Sequence, residues 1–381
     1  MKKIFQKIFP KKFGKFWKKV RNDKNFDKDL KFISDTFINS KSYNFVSNQW
    51  HLLNIISYQS ILKNGLKNYG SEISTHFFTF IDFKNEYIKN LFDQIDKNQI
   101  LSIRSDIFKK QNNFDYKNSV TYNYLCLLLY ENLKKTDYYK YLKYLNDETF
   151  VGFNHPFITI DNIKISTDKI ISLFDFEKIN KFHNFNSTDK ILEIGAGSGR
   201  LSECILSIEN NINYTICDIP PSIYISYKRL KLAFPNKKIE LLIDCLNKKE
   251  LNDKIRKNEI SFIFPHQLNE IDSNFFNLTV AVDCFHEMDK KTLIKYFEYI
   301  EINSQKIYFS IWEKTKNWYS GGIFKKTERL DFNKGDYPIP KNWNNIFKEN
   351  LKFPSNHLGL GYKIINSNLK FFKLFLELEC E

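Results

Sequence analysis

Between about residue 186 and residue 312 the chain alternates two patterns. Short continuous apolar runs occur at Lys190–Ile194, Tyr214–Cys217, Ile239–Ile243, Ser261–Phe264, Leu278–Cys284 and Lys306–Ile311. Several are separated by stretches with apolar positions every three or four residues. Continuous runs of this length predict strands buried on both faces, and the helical stretches predict crossovers. The alternation predicts an α/β domain on a mainly parallel sheet. Farther on, Tyr362–Ile365 and Lys370–Glu379 flank the turn-like Asn366-Ser367-Asn368, which predicts a closing antiparallel hairpin. The third strand of the sheet has two candidates, Ile239–Ile243 and Ser261–Phe264. The second is favoured, which makes the first an added or edge segment.

Upstream the period is helical. Trp50–Leu66 and Val120–Leu145 repeat apolar residues at helical spacing with few Pro or Gly. Residues 23–150 are therefore read as a mostly helical N-terminal domain, a cap that shapes the substrate site and carries no chemical motif of its own. Residues 1–22 form a basic amphipathic tail, in which Ile4, Phe5, Ile8, Phe9, Phe13, Phe16, Trp17 and Val20 recur among lysines, with a break near Pro10. That pattern fits a peripheral membrane contact at the inner face of the membrane; a frayed extension or a helix docked on its own domain has the same pattern. Residues 151–381 are the remaining domain.

Composition narrows the class. The chain has 381 residues, 42% of them hydrophobic, with 12 Gly and 9 Pro, enough apolar matter for a packed core and too little Gly and Pro for a low-complexity chain. Six scattered cysteines with no CxxC pair argue for reduced thiols in a cytoplasmic protein. Neither a membrane span nor a signal peptide is expected, because no apolar run has the needed length. The net charge is +14, but nine basic residues and no acid fall within residues 1–22, leaving +5 on the other 359. The charge is mostly a property of the tail, so no specific nucleic-acid partner is expected.

The chemistry concentrates where the run Lys190–Ile194 meets Gly195-Ala196-Gly197-Ser198-Gly199 and then a helical stretch from Arg200. A glycine loop between strand and helix cradles a nucleotide-like ligand. A dinucleotide calls for G-x-G-x-x-G and sets its pyrophosphate on the helix N-terminus. Here the spacing is G-x-G-x-G, Arg200 stands where the last glycine would fall, and Glu193 precedes the loop. A buried carboxylate repels pyrophosphate but suits the ammonium and sulfonium of S-adenosylmethionine, directly or through water. Asp218 ends the next strand, 19 residues after Gly199, in position to accept ribose hydroxyls or to cap the following helix. The expected cofactor-binding set is Glu193, Gly195, Ala196, Gly197, Gly199, Asp218, Ile219 and Gln267.

The strand Leu278–Cys284 delivers Phe285-His286-Glu287-Met288 to its carboxyl end, the rim where ligands of open α/β sheets sit. Methyl transfer to an alcohol is helped by a base. His286 is the first candidate, being neutral near pH 7. Glu287 is the second, as base or as the partner that orients His286. Trp312, Trp318 and Trp343, with Tyr319 and Tyr337, suggest either a substrate-facing insertion or ordinary packing. No metal-ligand cluster is evident, although Asp218, Asp244 and Asp283 leave a divalent ion open.

With these residues laid out, the chain resembles the sugar O-methyltransferases of bacterial surface-polysaccharide clusters. The resemblance covers roughly residues 150–380. It runs through the segment from Glu193 to Arg200, Asp218-Ile219-Pro220-Pro221, Phe264-Pro265-His266-Gln267-Leu268, His286-Glu287-Met288, Tyr337-Pro338-Ile339-Pro340 with Trp343, and the lead-in Phe153-Asn154-His155-Pro156. It implies a Rossmann-like class I methyltransferase sheet, S-adenosylmethionine as methyl donor, and a sugar or glycan hydroxyl as acceptor. The family more often has glutamine before the Glu-Met pair, which shifts weight from His286 to Glu287. Two rival readings stand beside it: a methyltransferase of RNA or protein, and a non-catalytic binding subunit of a polysaccharide assembly complex.

Overall fold

In the computed structural model, the described residues are 14–46, 48–66, 126–127, 129–146, 157–245, 247–312, 337–340, 343–350 and 371–377. The chain forms two compact units. One comprises Met1–Gly65, Ile179–Asn350 and Lys370–Glu381; the other comprises Leu66–Lys178 and Leu351–Leu369. Packing therefore groups residues 23–65 with the sheet, whereas the periodicity groups them with the helical stretch that follows. Helical period reports which face of a helix is apolar, not which surface covers that face.

The smaller unit contains a hairpin of β1 (Ile158–Ile160) and β2 (Ile163–Ile165), paired antiparallel. Its two-residue turn, Asp161-Asn162, has φ of 51° and 63°. A two-residue hairpin turn of this hand needs positive φ twice, and Asp and Asn tolerate it. Helix α3 (Thr167–Phe182) follows and crosses into the larger unit.

The larger unit is built on eight strands: β3 (Lys190–Ile194), β4 (Asn213–Cys217), β5 (Ile239–Leu241), β6 (Ile260–Ile263), β7 (Leu278–Val282), β8 (Lys306–Trp312), β9 (Asn344–Asn350) and β10 (Phe371–Glu377). Their spatial order is β5-β6-β4-β3-β7-β8-β10-β9. The first six are parallel, and β10 runs antiparallel to both β8 and β9. This is a Rossmann-like α/β fold with an antiparallel hairpin added at one edge. From β3 the chain moves to β4 on one side, and from β7 it moves to β8 on the other. The order reverses between β3 and β7, and such a reversal opens a ligand crevice at the carboxyl ends of the strands.

Both expectations about individual strands are resolved. Ile260–Ile263 lies beside β4 as the third strand, and Ile239–Leu241 is the edge. The closing hairpin forms, but β10 takes Asn344–Asn350 as its partner, with β8 on its other side. Tyr362–Ile365, the predicted first arm, lies outside the described residues. A turn-like cluster gave the wrong arm because antiparallel partners separated by a long connection leave no local signal.

Helices α4 (Arg200–Ile208), α5 (Ser222–Ala233), α6 (Lys248–Lys257) and α7 (Lys290–Asn303) connect the parallel strands. Their starts follow capping chemistry: Asn247 accepts from the amides of Lys249 and Glu250, and Asp289 accepts from Thr292. The core beneath the sheet joins Leu192, Ile194, Phe285, Phe297 and Phe309 with Tyr337 and Trp343. Trp343 meets Phe297 edge-on at 5.5 Å. These two members of the aromatic cluster are therefore packing residues. Trp318 and Tyr319 lie outside the described residues, as does the side chain of Trp312.

The N-terminal segment packs on this unit. Trp17 is buried against Phe26 and Tyr58, and its indole N–H donates to Asp35 at 2.8 Å. The apolar face of residues 14–20 thus closes on the protein's own helices, α1 (Lys28–Asn39) and α2 (Asn48–Asn64). Of the apolar tail residues named above, Ile4, Phe5, Ile8, Phe9 and Phe13 lie outside the described residues. Among the described residues no helix is long and apolar enough to cross a membrane. The five described cysteines are all buried.

Candidate functional site

The three glycines of the loop share positive φ but do different things. Gly195 (φ 69°) donates its N–H to the Cys217 carbonyl at 3.0 Å, tying loop to β4. A Cβ there would stand 2.7 Å from the Cβ of Cys284. Gly199 (φ 78°) starts α4 without a side-chain cap, and its Cβ would press on Ser226 at 3.0 Å. Gly197 (φ 58°) has nothing within 4 Å of the place a Cβ would take. Two glycines are thus required by the protein's own packing, and the middle one faces open space.

Asp218 is bound to that middle glycine. Its Oδ2 accepts the Gly197 N–H at 2.9 Å, and its Oδ1 accepts the N–H of Ile219, a half-buried neighbour, at 2.7 Å. A carboxylate has about four acceptor sites, so both oxygens keep capacity for ligand hydroxyls. Burial pushes its pKa up to about 7 against the opposing pull of the two amides. The carboxyl end of β4 and the open side of the loop form one surface.

Glu193 occupies a different position from the one its sequence context suggests. It is buried beneath the loop, where its Oε2 accepts from the Tyr214 hydroxyl at 3.1 Å and its carboxylate bonds the Ser202 side chain. Burial raises its pKa to about 7, against the pull of these hydroxyls and of Arg200. It braces β3, β4 and α4 together. Ala196, also buried, forms the turn floor, its carbonyl accepting the Gly199 N–H at 2.9 Å.

Gln267 is corrected. Its side-chain oxygen accepts the Phe264 N–H at 2.8 Å, and its amide donates to the carbonyls of Leu242 and Cys245 at 2.8 and 3.1 Å. Both donors are committed to backbone, so Gln267 clamps the turn after β6 instead of facing adenine. Side-chain amides at such sites are ambiguous in sequence because loop clamps and ligand contacts use the same groups.

The end of β7 contributes the other wall. Asp283, at φ 56°, receives a hydrogen bond from the Ser310 hydroxyl at 3.4 Å and donates its N–H to the Ser310 carbonyl at 3.0 Å. His286 and Glu287 follow in a single turn, Phe285–Glu287. His286 is 0% exposed, whereas Glu287 is half-buried. Cys284 lies in contact with the loop, its Sγ donating to the Ile194 carbonyl at 3.2 Å. Its thiol pKa is raised first by burial and then by the charges of Asp218, Glu287, Asp283 and Glu193. One buried thiol thus lies within electrostatic reach of all four acids. Sequence reading considered Asp283 only as a metal ligand. Its available signal was position, the last carboxylate before the chain turns at the end of β7. Among the described residues, no group of three or more His, Cys, Asp or Glu side chains could hold a metal ion.

Two outcomes follow from this geometry. Alanine at Gly197 should cost only the roughly 1–2 kcal/mol of a left-handed residue, whereas alanine at Gly195 adds a collision with the Cβ and Sγ of Cys284. Urea unfolding should find the Gly195 variant clearly the less stable; equal losses would remove the distinction. The second concerns pH. Glu193 and Asp218 hold their protons up to about pH 7 in the fold, against 4.5 and 3.8 as ordinary values. Their contribution to stability is full below about pH 4 and is lost as pH rises through about 7. The melting temperature of ligand-free protein should therefore fall less between pH 5.5 and 8 in Glu193→Gln than in the unsubstituted protein.

No protein-family model matches the chain, and no curated protein matches it. Solved structures do resemble it. Geranyl diphosphate C-methyltransferase from Streptomyces coelicolor, solved with S-adenosylhomocysteine, is 8% identical, with a TM-score of 0.37 over 55% of this chain and 82% of its own. Phosphoethanolamine N-methyltransferase 2 from Haemonchus contortus is 13% identical, with a TM-score of 0.37 over 66% of this chain and 60% of its own. The PH0226 protein from Pyrococcus horikoshii is 11% identical, with a TM-score of 0.34 over 55% and 90%. At these values the likeness carries no statement about activity, and the fold assignment rests on the strand order and register.

Proposed function

We propose that this protein is an S-adenosylmethionine-dependent O-methyltransferase acting on a sugar hydroxyl of a bacterial surface glycan or its precursor. The observation that carries the donor assignment is the Asp218–Gly197 pairing beside an open glycine face, inside a ring of carboxylates. Open space at Gly197 admits a ligand against the backbone. In their ionised form the four acids near Cys284 oppose a pyrophosphate and favour a cation, so these residues fit S-adenosylmethionine and disfavour a dinucleotide. The loop 195–199, Asp218 and Ile219 would hold it. Bound there, it supplies an activated methyl group on a sulfonium.

The chain's own contribution is position, field and a base. Asp218 accepts ribose hydroxyls while fixed by two amides. Asp283 and Glu287, both half-buried, stand just past the end of β7. Glu287 takes the proton of the acceptor hydroxyl. His286 has no exposed surface, which supports Glu287 ahead of it as the base that reaches an acceptor. Glu287→Gln should lower turnover by roughly 10²–10⁴-fold with S-adenosylhomocysteine affinity nearly intact. His286→Ala should act mainly on stability. Turnover unchanged in Glu287→Gln would dismiss that carboxylate as the base.

The sugar acceptor rests on the resemblance of residues 150–380 to the surface-polysaccharide enzymes. Two measurements test the reading separately. Calorimetry with S-adenosylhomocysteine tests the donor site. Intact-mass analysis of surface glycans from a deletion strain tests the acceptor: loss of one methyl group supports it, and unchanged glycans sink it.

A further inference from the structure

We infer that the lysine face of residues 14–31 is a docking surface for an anionic phospholipid bilayer, held by charge with no apolar face inserted. The inference stands apart from the methyltransferase reading. Residues 14–20 are helical. At about 3.6 residues per turn, Lys15, Lys18 and Lys19 share one side of that helix and Trp17 takes the opposite side. Trp17 is buried, its ring centroid 5.3 Å from those of Phe26 and Tyr58, and its indole N–H donates to Asp35 at 2.8 Å. Phe16 is half-buried and meets Tyr58 at 6.3 Å. Lys15, Lys18 and Lys19 are exposed. A helix that enters a headgroup layer buries its apolar face there. This one has buried its aromatic side in the protein, so what it offers outward is charge.

The basic surface continues past the helix. Arg21, Lys24 and Lys28 are exposed, and Lys31 is half-buried. Asp35 joins the two parts. It holds Trp17, pairs with Arg21 at 3.4 Å, and stands four residues beyond Lys31 on one face of α1. Nearby acids leave the charge uncancelled. Asp27 and Asp29 both pair with Lys228 on α5, at 2.7 and 2.5 Å. Asp23 is exposed and accepts the Asn25 N–H at 2.9 Å. Six exposed basic residues, from Lys15 to Lys28, therefore stand against one exposed acid. By sequence, residues 1–13 add five lysines and no acid. Each lysine or arginine close to an anionic leaflet strengthens binding by about fivefold. Single-stranded nucleic acid fits this surface less well, because its bases stack on open aromatic rings, and Phe16 and Trp17 are engaged with Tyr58.

The test is co-sedimentation of the full chain with vesicles of phosphatidylcholine alone and of phosphatidylcholine mixed with phosphatidylglycerol. The protein should pellet only with the mixed vesicles, and high salt should release it, since screening cuts a coulombic contact and leaves an inserted one in place. The triple variant Lys15→Glu, Lys18→Glu, Lys19→Glu should bind the mixed vesicles at least about a hundredfold more weakly. These side chains are exposed, so its melting temperature should match that of the unsubstituted protein. The milder triple variant to glutamine should also lose affinity and serves if the first fails to fold. Vesicle binding by the variants within about threefold of the unsubstituted protein overturns the inference. So does binding to phosphatidylcholine alone, or binding that persists in high salt. Poly(U) bound more tightly than the mixed vesicles would assign the surface to nucleic acid instead.

Discussion

Asp218→Ala is expected to weaken S-adenosylhomocysteine binding by about 10²–10⁴-fold. Two hydrogen bonds from ligand hydroxyls to a carboxylate contribute roughly 1.5–3 kcal/mol each, and every 1.4 kcal/mol is about a factor of ten. The variant also leaves the N–H groups of Gly197 and Ile219 without their acceptor, so the loop loses its tie to β4 at the glycine that faces open space. Asp218→Asn keeps the shape and one acceptor oxygen, and should fall between alanine and aspartate. Affinity should also rise with pH through about 7, since burial holds the Asp218 proton to that range in the ligand-free protein and the ionised form is the better acceptor. Calorimetry at pH 6, 7 and 8 checks both statements. A loss smaller than about fivefold in Asp218→Ala would place the ribose elsewhere and withdraw the central contact of the site.

Arg229→Met is expected to destabilise the protein by roughly 3–5 kcal/mol, the cost of stranding one member of a buried ion pair. Arg229 on α5 and Glu203 on α4 are both 0% exposed and 2.5 Å apart. Alone, Glu203 would be left charged in a dry interior. Replacing both, as Arg229→Met with Glu203→Leu, removes the stranded charge and should recover most of the stability. The pair has a second consequence, because Arg229 also donates to the Ser198 hydroxyl in the glycine loop at 3.3 Å. The double variant therefore regains its fold without regaining that tether, and its donor affinity should remain below that of the unsubstituted protein. Urea titration and calorimetry on the same samples separate the two effects. A single variant as stable as the unsubstituted protein would mean that water or another group neutralises Glu203.

The pair also marks a limit of sequence reading. Nothing in Arg229 or Glu203 as letters distinguishes them from the solvent-facing charges of a helix. They are buried because α4 and α5 pack on each other above the loop. The same holds for Glu193. Its place before a glycine loop suggests a ligand contact, but Tyr214, one strand over, and Ser202, one turn into α4, engage its carboxylate from within. Gln267 fails as a ligand contact for a like reason, since its partners at Leu242 and Cys245 belong to a segment the sequence does not align with it. In each case the deciding group comes from another element, and one chain read in order does not give that proximity.

The sequence by itself determined the class of fold, the glycine loop between β3 and α4 and the acid that ends the second strand, because apolar period, glycine conformation and strand-end position are local properties. Tertiary structure alone decided which glycine faces open space, which of His286 and Glu287 is buried, which segment pairs with β10, and that residues 14–45 pack on the sheet unit. Those outcomes depend on which surfaces meet when the chain closes, and burial and partnership are properties of pairs of elements that no single element carries.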